Sequence, residues 1–534
     1  MYTVDLTTSY WPAQTDAPMI DTSVGDLLRA TAANTPDAMA LREVDEAGLI
    51  GREWRYVDLL ADSERLAKAL LTRYQPGEKI AVWAPNIPEW VLAEFAMGLA
   101  GLVLVTVNPG YQARELKYVL EQSGSVGLFL VSEFRGNPIA RIGTMVAAEI
   151  SAIREVIDMA DHAALFRAAG PVSSLPRVNP RDPAQIQYTS GTTGFPKGVV
   201  LHHQGITNNA LHTQMRIGGK PGMRSIVMTP MFHTSGCVTI LGAIARGHST
   251  LLVKMFDPAK VNALIEQERV ELFVAVPTML IAMLESDAAH PRDLSSVTHI
   301  ASGGSMVPPE LVRRTRERFD CALMTVYGLT ETSPLISMIR PTDSFDDICN
   351  TIGQPMPQTE VSICDPQTNA IVPLGLVGEI CSRAYSVMLG YNDDPEATSK
   401  AIDADGWFHT GDLGTMDTRG FLRITGRVKE MIIRGGENLF PAEIENVLLE
   451  HADVAEVAVV GVPDPRLGEI AVAFVRVAPG ATFDPMSLIA HCRANLAAQK
   501  TPAHWVEIEA WPLTGSGKIQ KFVLRDRYVA GDFK

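Results

Sequence analysis

From residue 79 onward the chain alternates short apolar runs with longer amphipathic stretches, in the order KIAVWA, NIPEWVLAEFAMGLAG, LVLVTV, ARELKYVLEQSG and VGLFLV. This is a βαβαβ pattern: strands buried on both faces are short and continuously apolar, whereas crossover helices carry one apolar face. Asn86 as N-cap with Pro88 in the first turn is expected to start the first helix, and Gly101 to stop it. The rhythm returns between residues 225 and 327, where IVMTP, TLLV, LFVAVP, HIASGG and LMTVYG are separated by helical patterns such as PAKVNALIEQ and PPELVRRTRERF. Two α/β layers with parallel strands are the natural outcome. Between residues 341 and 427 helical periodicity gives way to short alternating segments with Gly, Pro and Asp turns, which predicts a small antiparallel β unit. After Arg427 a fresh α+β pattern begins, with MIIRGG, PAEIENVLLEH, VAEVAVVGV and EIAVAFVRV and a helix around residues 485–495. A domain boundary is expected at residues 426–429, separating a large unit, 1–426, from a small one, 427–534.

A chain of 534 residues has room for about three or four compact units. With 46% hydrophobic and 20% charged residues it has the composition of a soluble, folded protein. A net charge of -15 repels phosphate backbones, so a general nucleic-acid binder is excluded. The acidity is concentrated before residue 427. Near the C-terminus Lys518, Lys521, Arg525, Arg527 and Lys534 face only Asp526 and Asp532, a basic end suited to a polyanionic small molecule or to a solvated helix face. Six scattered cysteines show neither CxxC nor Cys/His spacing, which predicts no zinc site and no disulfide framework and suits a reducing, cytoplasmic setting. The first residues lack a basic segment followed by an apolar one, so no export signal is expected. The longest strongly apolar stretch, residues 95–107, is shorter than the ~18 residues that suggest a transmembrane helix.

The most informative segment is YTSGTTGFPKGVV, residues 188–200, following the apolar run AQIQY. Its glycines let backbone N–H groups converge on phosphate oxygens, Ser190, Thr192 and Thr193 add hydroxyl donors, and Lys197 supplies a compact charge. The loop departs from GxxxxGK[ST], since Pro196 replaces the second glycine and Gly198 follows the lysine; a Walker-type NTPase is not supported. Further on stand YGLTETSP at residues 327–334, HTGDLG at 409–414, GRVKEMIIRGGENLFPAEIE at 426–445 and PLTGSGKIQK at 512–521. In these five motifs, their order and their spacing, the chain resembles the adenylate-forming superfamily of acyl-CoA synthetases, adenylation domains and beetle luciferases. The resemblance spans most of the chain. The wording of VNPGYQARELKYVLEQSG and GRVKEMIIRGGEN is most similar to the medium- and long-chain fatty acyl-CoA ligases.

The resemblance implies an α/β fold with a large N-terminal domain of two α/β layers plus a β-barrel, followed by a small mobile α+β C-terminal domain. It implies ATP between the loop Thr189, Ser190, Gly191, Thr192, Thr193, Gly194 and Lys197 and the segment Tyr327, Gly328 and Thr330, with adenine stacked on Tyr327 against Gly303, Gly304 and Ser305. Thr330 would meet the α-phosphate, Glu331 would hold Mg²⁺, and Asp412 would accept hydrogen bonds from both ribose hydroxyls. Lys518 matches the family's catalytic lysine for adenylate formation, Arg427 a ribose or phosphate contact, and Lys429 the hinge about which the C-terminal domain turns between half-reactions. Gly435 and Gly436 would line the path of coenzyme A, Asn438 would lie near the adenylate, and His233 would order carboxylate and acceptor.

The acyl pocket implied by matching positions is lined by His233, Gly236, Cys237, Val238, Val276, Ser302, Gly303, Gly328 and Pro334. Acetate and propionate enzymes carry Trp where Gly328 stands here, so a deeper pocket is expected. The absence of a charged residue among these positions predicts an apolar acid, because an unpaired ammonium in such a site is costly. The resulting expectation is an ATP-dependent acid:CoA ligase acting on a medium/long-chain fatty or arylalkanoic acid. A carrier-protein thiol or an amine is the alternative acceptor. Two other classes, an idle scaffold and a nicotinamide oxidoreductase, fit less well: the motif residues are intact, and NPGYQA after LVLVTV is not GxGxxG. A monomer or homodimer with at most peripheral membrane contact is expected.

Overall fold

The computed structural model describes residues 2–172, 174–189, 196–435, 437–512 and 519–533. The βαβαβ unit is part of a seven-stranded sheet ordered Gly390–Tyr391, Lys197–His202, Pro183–Thr189, Val103–Thr106, Lys79–Trp83, Gly127–Leu130 and Glu155–Asp158. A nine-stranded sheet runs from Gln354–Pro355 through Leu335–Met338, Ala322–Gly328, His299–Gly303, Leu272–Ala275, Arg224–Val227, Ser249–Val253 and Met39–Val44 to Ile50–Arg55. Both are mixed rather than purely parallel: the central pairs are parallel, while Pro183–Thr189 with Lys197–His202, Ala322–Gly328 with Leu335–Met338, and Met39–Val44 with Ile50–Arg55 are antiparallel. All three of these pairs, 183–202, 322–338 and 39–55, have connections too short for a crossover helix, so their strands run antiparallel.

Helix Pro88–Ala100 is buried along its whole length, Glu89 and Glu94 included. Its expected amphipathicity is absent because apolar side chains of both α/β layers enclose it. Asn86 is not its N-cap. That position is Ile87, with Pro88 at the first turn, while the Asn86 amide donates to the Thr229 carbonyl at 3.0 Å and accepts from the Met231 N–H at 2.8 Å. Gly101 closes the helix in the left-handed region at φ 69°, as its position predicts. The residues after 341 form an antiparallel sheet ordered Tyr10–Trp11, Thr359–Cys364, Gly378–Ala384, Phe408–Met416 and Leu422–Arg427, to which the N-terminus lends an edge strand. A further sheet holds Ile432–Arg434, Glu437–Leu439, Val454–Asp464, Gly468–Val477 and His504–Glu507, with apolar clusters of its own on both faces and helix Pro485–Asn495 beside it.

Candidate active site

Three segments distant in sequence meet at the end of strand Ala322–Gly328. The strand delivers Tyr327, whose hydroxyl donates to Asp412 Oδ2 at 2.9 Å, and the other carboxylate oxygen accepts from Arg427 Nε at 2.9 Å. Asp412 is buried, and so is Tyr327, whose hydroxyl is pushed well above its ordinary range by burial and then by the Asp412 charge. The carboxylate is presented by a bulge: opposite the strand Gly378–Ala384, Cys381 faces His409 and Glu379 faces Leu413, so residues 410–412 stand against Ile380 alone and two residues are extra. Gly411 sits at φ 72°, its N–H donates to Glu379 Oε1 at 2.8 Å, and Thr410 Oγ1 donates to the Ile380 carbonyl at 2.7 Å. The bulge is therefore tethered at its first two residues.

Immediately after the strand, Thr330–Thr332 forms a single 3₁₀ turn that buries Glu331. Burial pushes the Glu331 carboxyl above the usual carboxylate range, against the Tyr391 hydroxyl donating to Oε1 at 2.8 Å and the charge of Lys197. Lys197 Nζ stands 4.5 Å from the Tyr391 ring centroid, and in the hairpin register it lies opposite Thr189. A buried, partly compensated carboxylate of this kind suits a hard divalent ion such as Mg²⁺, which takes one or two protein carboxylates and completes its shell with water and phosphate oxygens. Thr330 Oγ1 lies 3.2 Å from Thr234 Oγ1, which joins the turn to helix Thr234–Ala245. His233 is the N-cap of that helix, its Nδ1 accepting from the Ser235 N–H at 3.3 Å. His202 caps helix His203–Ile217 in the same manner.

Several glycines expected to open pocket space have a packing reason as well. A Cβ on Gly328 would run into the Pro334 carbonyl, one on Gly303 into Val326, and one on Gly236 into the Pro230 carbonyl. Gly328→Ala should therefore lower stability by about 3 kcal/mol, the upper end of overpacking costs. A melting midpoint equal to wild type would show instead that the residue only leaves space.

Ser302 is buried with its hydroxyl lacking a partner among the described residues, and Val276 caps helix Pro277–Ala289. Gly304 at φ 81° and the exposed Ser305 follow strand His299–Gly303. Lys429 lies in the turn Val428–Glu430. Gly435 donates its N–H to the Leu467 carbonyl at 2.7 Å, and Asn438 is on strand Glu437–Leu439. Ser190, Gly191, Thr192, Thr193, Gly194, Gly436 and Lys518 lie outside the described residues. The basic C-terminal end is largely committed within the chain: Lys521 pairs with Glu430 at 2.9 Å and Glu445 at 2.8 Å, Arg525 with Glu469 at 3.6 Å and Arg527 with Asp532 at 3.3 Å. Those three cations are not an open patch for a polyanion, because acids of neighbouring elements pair with Lys521 and Arg525 and Asp532 of the same end pairs with Arg527.

Glu94 escaped the sequence argument. On the buried helix its Oε1 accepts from Gln185 Nε2 at 2.8 Å and from the Cys237 thiol at 3.3 Å, while Oε2 has no partner among the described residues. Its only signal was one acid inside WVLAEFAMGLA, on a helix buried all round. Burial pushes its carboxyl up to about 7. Because the folded group holds its proton longer than the unfolded one, its cost is absent at low pH, grows above the ordinary value of 4.5 and is complete once pH passes about 7. Glu94→Gln should gain stability relative to wild type as pH rises from 5 to 8, by on the order of 3 kcal/mol. Equal pH slopes in thermal melts of the two proteins would refute this.

The AMP-binding enzyme family matches residues 28–392, and the AMP-binding enzyme C-terminal domain matches residues 443–518. The chain belongs to this family of adenylate-forming enzymes and is of the acyl-CoA synthetase type. It is similar to Bacillus subtilis YngI, which is named as an acyl-CoA synthetase, at 37% identity over 96% of this chain and 98% of that protein. It is similar to the mitochondrial medium-chain acyl-CoA ligase ACSF2 of Rattus norvegicus at 33% identity, over 97% of this chain and 89% of that one. The structure of Bacillus subtilis o-succinylbenzoate CoA synthetase with its acyl-adenylate superposes with a TM-score of 0.82 at 28% identity, covering 95% and 98%. Among the described residues no helix is long and apolar enough to cross a membrane.

Proposed function

We propose that this chain is an ATP- and Mg²⁺-dependent acid:CoA ligase that activates a hydrophobic carboxylic acid, medium/long-chain fatty or arylalkanoic, through an acyl-adenylate to an acyl-CoA, releasing AMP and pyrophosphate. The observation that carries the reading is the convergence of Asp412, Tyr327 and Arg427 with the turn Thr330–Thr332, whose buried Glu331 senses the charges of both Lys197 and Asp412. In the first half-reaction a carboxylate oxygen attacks the α-phosphorus and pyrophosphate leaves. In the second a thiol sulfur attacks the acyl carbon and AMP leaves. Both steps concentrate negative charge, and positioning plus fixed positive charge supply most of the rate.

In this reading Asp412 grips the ribose, and the loop from Thr189 to Lys197 with Thr330 orients the phosphates. Glu331 is the protein ligand for Mg²⁺, which neutralises phosphate charge when bound. Lys518 bridges the carboxylate and the α-phosphate. Residues 427–534 then turn about Lys429, withdrawing Lys518 and bringing Gly435 and Gly436 to the thiol. His233 stands between the two channels. The acid's tail runs along helix Thr234–Ala245, where a Glu94 that keeps its proton to about pH 7 limits the charge placed behind Cys237. That wall suits an apolar tail better than a cationic one. A cytoplasmic enzyme is part of the same reading.

The test is pyrophosphate release with Mg-ATP across acids from acetate through decanoate and palmitate to phenylpropanoates, each with and without CoA. Release that requires an apolar acid, accompanied by CoA-dependent acyl-CoA formation, is the expected result. Release with no acyl-CoA formed would keep the adenylate and move the acyl group to another acceptor. Preference for acetate or for an amino acid would overturn the substrate class.

A further inference from the structure

On one face of the antiparallel sheet, three metal-ligating side chains come together from two neighbouring strands, with Cys364 on the strand beside them. Cys364 on Thr359–Cys364 stands opposite Glu379 on Gly378–Ala384, and Cys381 on that same strand stands opposite His409 on Phe408–Met416. Glu379 and Cys381 are two residues apart, so all four project from the same face. The ligating atoms of Glu379, Cys381 and His409 lie within 4.8 Å of one another, with His409 Nδ1 3.0 Å from Glu379 Oε2 and 3.5 Å from Cys381 Sγ. Cys364 adjoins them from the next strand, where it is paired with Glu379. A tetrahedral zinc ion with ordinary bond lengths sets N···O and N···S edges of about 3.3 and 3.6 Å, so the two edges that meet at His409 Nδ1 are within a few tenths of an ångström of those that one shared ion needs.

We propose that Glu379, Cys381 and His409 form a binding site for a thiophilic divalent transition metal of the Zn²⁺ class, with Cys364 adjoining as a fourth donor. The donor set selects against Mg²⁺ and Ca²⁺, which take oxygen ligands, and for ions that accept thiolate and imidazole. On binding, the Cys381 thiol releases its proton to solvent, and neutral His409 ligates through Nδ1. The groups behind the ligands are in place: Asp403 Oδ2 lies 3.6 Å from His409 Nε2, the Gly411 N–H holds Glu379 Oε1 at 2.8 Å, and Ser362 Oγ lies 3.3 Å from Cys364 Sγ. A carboxylate behind a ligating imidazole fixes its tautomer and raises its basicity. Both thiols are buried, while His409 and Glu379 retain partial exposure, which gives an ion its way in. The site shares Glu379 with the tether of the Asp412 bulge but uses its other oxygen, so occupancy does not require the nucleotide site to be dismantled.

The test uses the full chain, reduced and stripped of metal, titrated with Co²⁺ alone. Binding of one ion per chain, with a thiolate-to-cobalt charge-transfer band and the intense visible absorption of a tetrahedral site, both displaced by Zn²⁺, is the expected result. Cys381→Ser should weaken binding by more than the ~10–100-fold that losing an outer-shell partner costs, with its melting midpoint checked against wild type. A folded wild-type protein that gives no charge-transfer band overturns the proposal. So does a band left unchanged by Cys381→Ser, since Cys364 alone or one of Cys237, Cys321, Cys349 and Cys492 would then supply the thiolate and Cys381 would not be a ligand. Both readouts are independent of catalysis.

Discussion

Lys518→Ala should cut acyl-adenylate formation by about 10²–10³-fold, the loss that follows removal of one preorganised positive group from a charge-building transition state. The effect should fall on one half-reaction. In the proposed cycle the lysine bridges carboxylate and α-phosphate and is then withdrawn, so the variant supplied with preformed acyl-adenylate and CoA should make thioester at close to the wild-type rate. Single-turnover measurements of the two halves separate these outcomes. Adenylate formation at the wild-type rate would remove Lys518 from its assigned role. Equal losses in both halves would mean that the lysine acts on the second step too, or that the substitution disturbs the C-terminal fold, which a thermal melt distinguishes.

Asp412→Ala should lower kcat/KM for ATP by roughly 10²–10⁴-fold, because in the proposed reading two ribose hydrogen bonds to a charged acceptor are lost and each is worth about 1.5–3 kcal/mol. The loss should appear mainly in KM for ATP, with KM for the acid little changed. The arrangement also predicts a pattern that a general destabilisation cannot imitate. Wild type should discriminate against 2′-deoxy-ATP and 3′-deoxy-ATP, and the variant should treat them nearly as it treats ATP. Stability should fall as well, since the substitution leaves the buried Tyr327 hydroxyl and the Arg427 guanidinium without their acceptor. Asp412→Asn, which keeps the shape and one acceptor oxygen, should lie between the two proteins in both respects. Undiminished discrimination against the deoxynucleotides in Asp412→Ala would place the ribose elsewhere.

What was legible in the amino-acid sequence was whatever is local along the chain. The apolar runs at 80–83, 103–106 and 127–130 became strands because continuous apolarity over four or five residues suits burial on both faces. Gly101 closes its helix because only a left-handed residue ends a helix in that manner cheaply. The motif residues Tyr327, Thr330, Glu331 and Asp412 could be singled out because each belongs to a contiguous motif by which the chain resembles the adenylate-forming superfamily; taken singly, Glu331 and Asp412 read as solvated turn residues.

Tertiary structure decided what depends on strand register and on packing between layers. Asn86 looked like a helix cap, but the Thr229 carbonyl and the Met231 N–H reach it from the other α/β layer. Glu94 acquired its raised pKa because packing between the two layers excludes water from it, against hydrogen bonds from Gln185 and Cys237 that favour the ionised form. No Cys/His spacing announced Cys364, Cys381 and His409, since antiparallel pairing alone brings positions 17 and 28 residues apart onto one face. Periodicity determines which face of an element is buried, and therefore that these layers form. Which side chain meets which across the layers is set by pairing energies between residues far apart in the chain, and those exist only once the strands have chosen their partners.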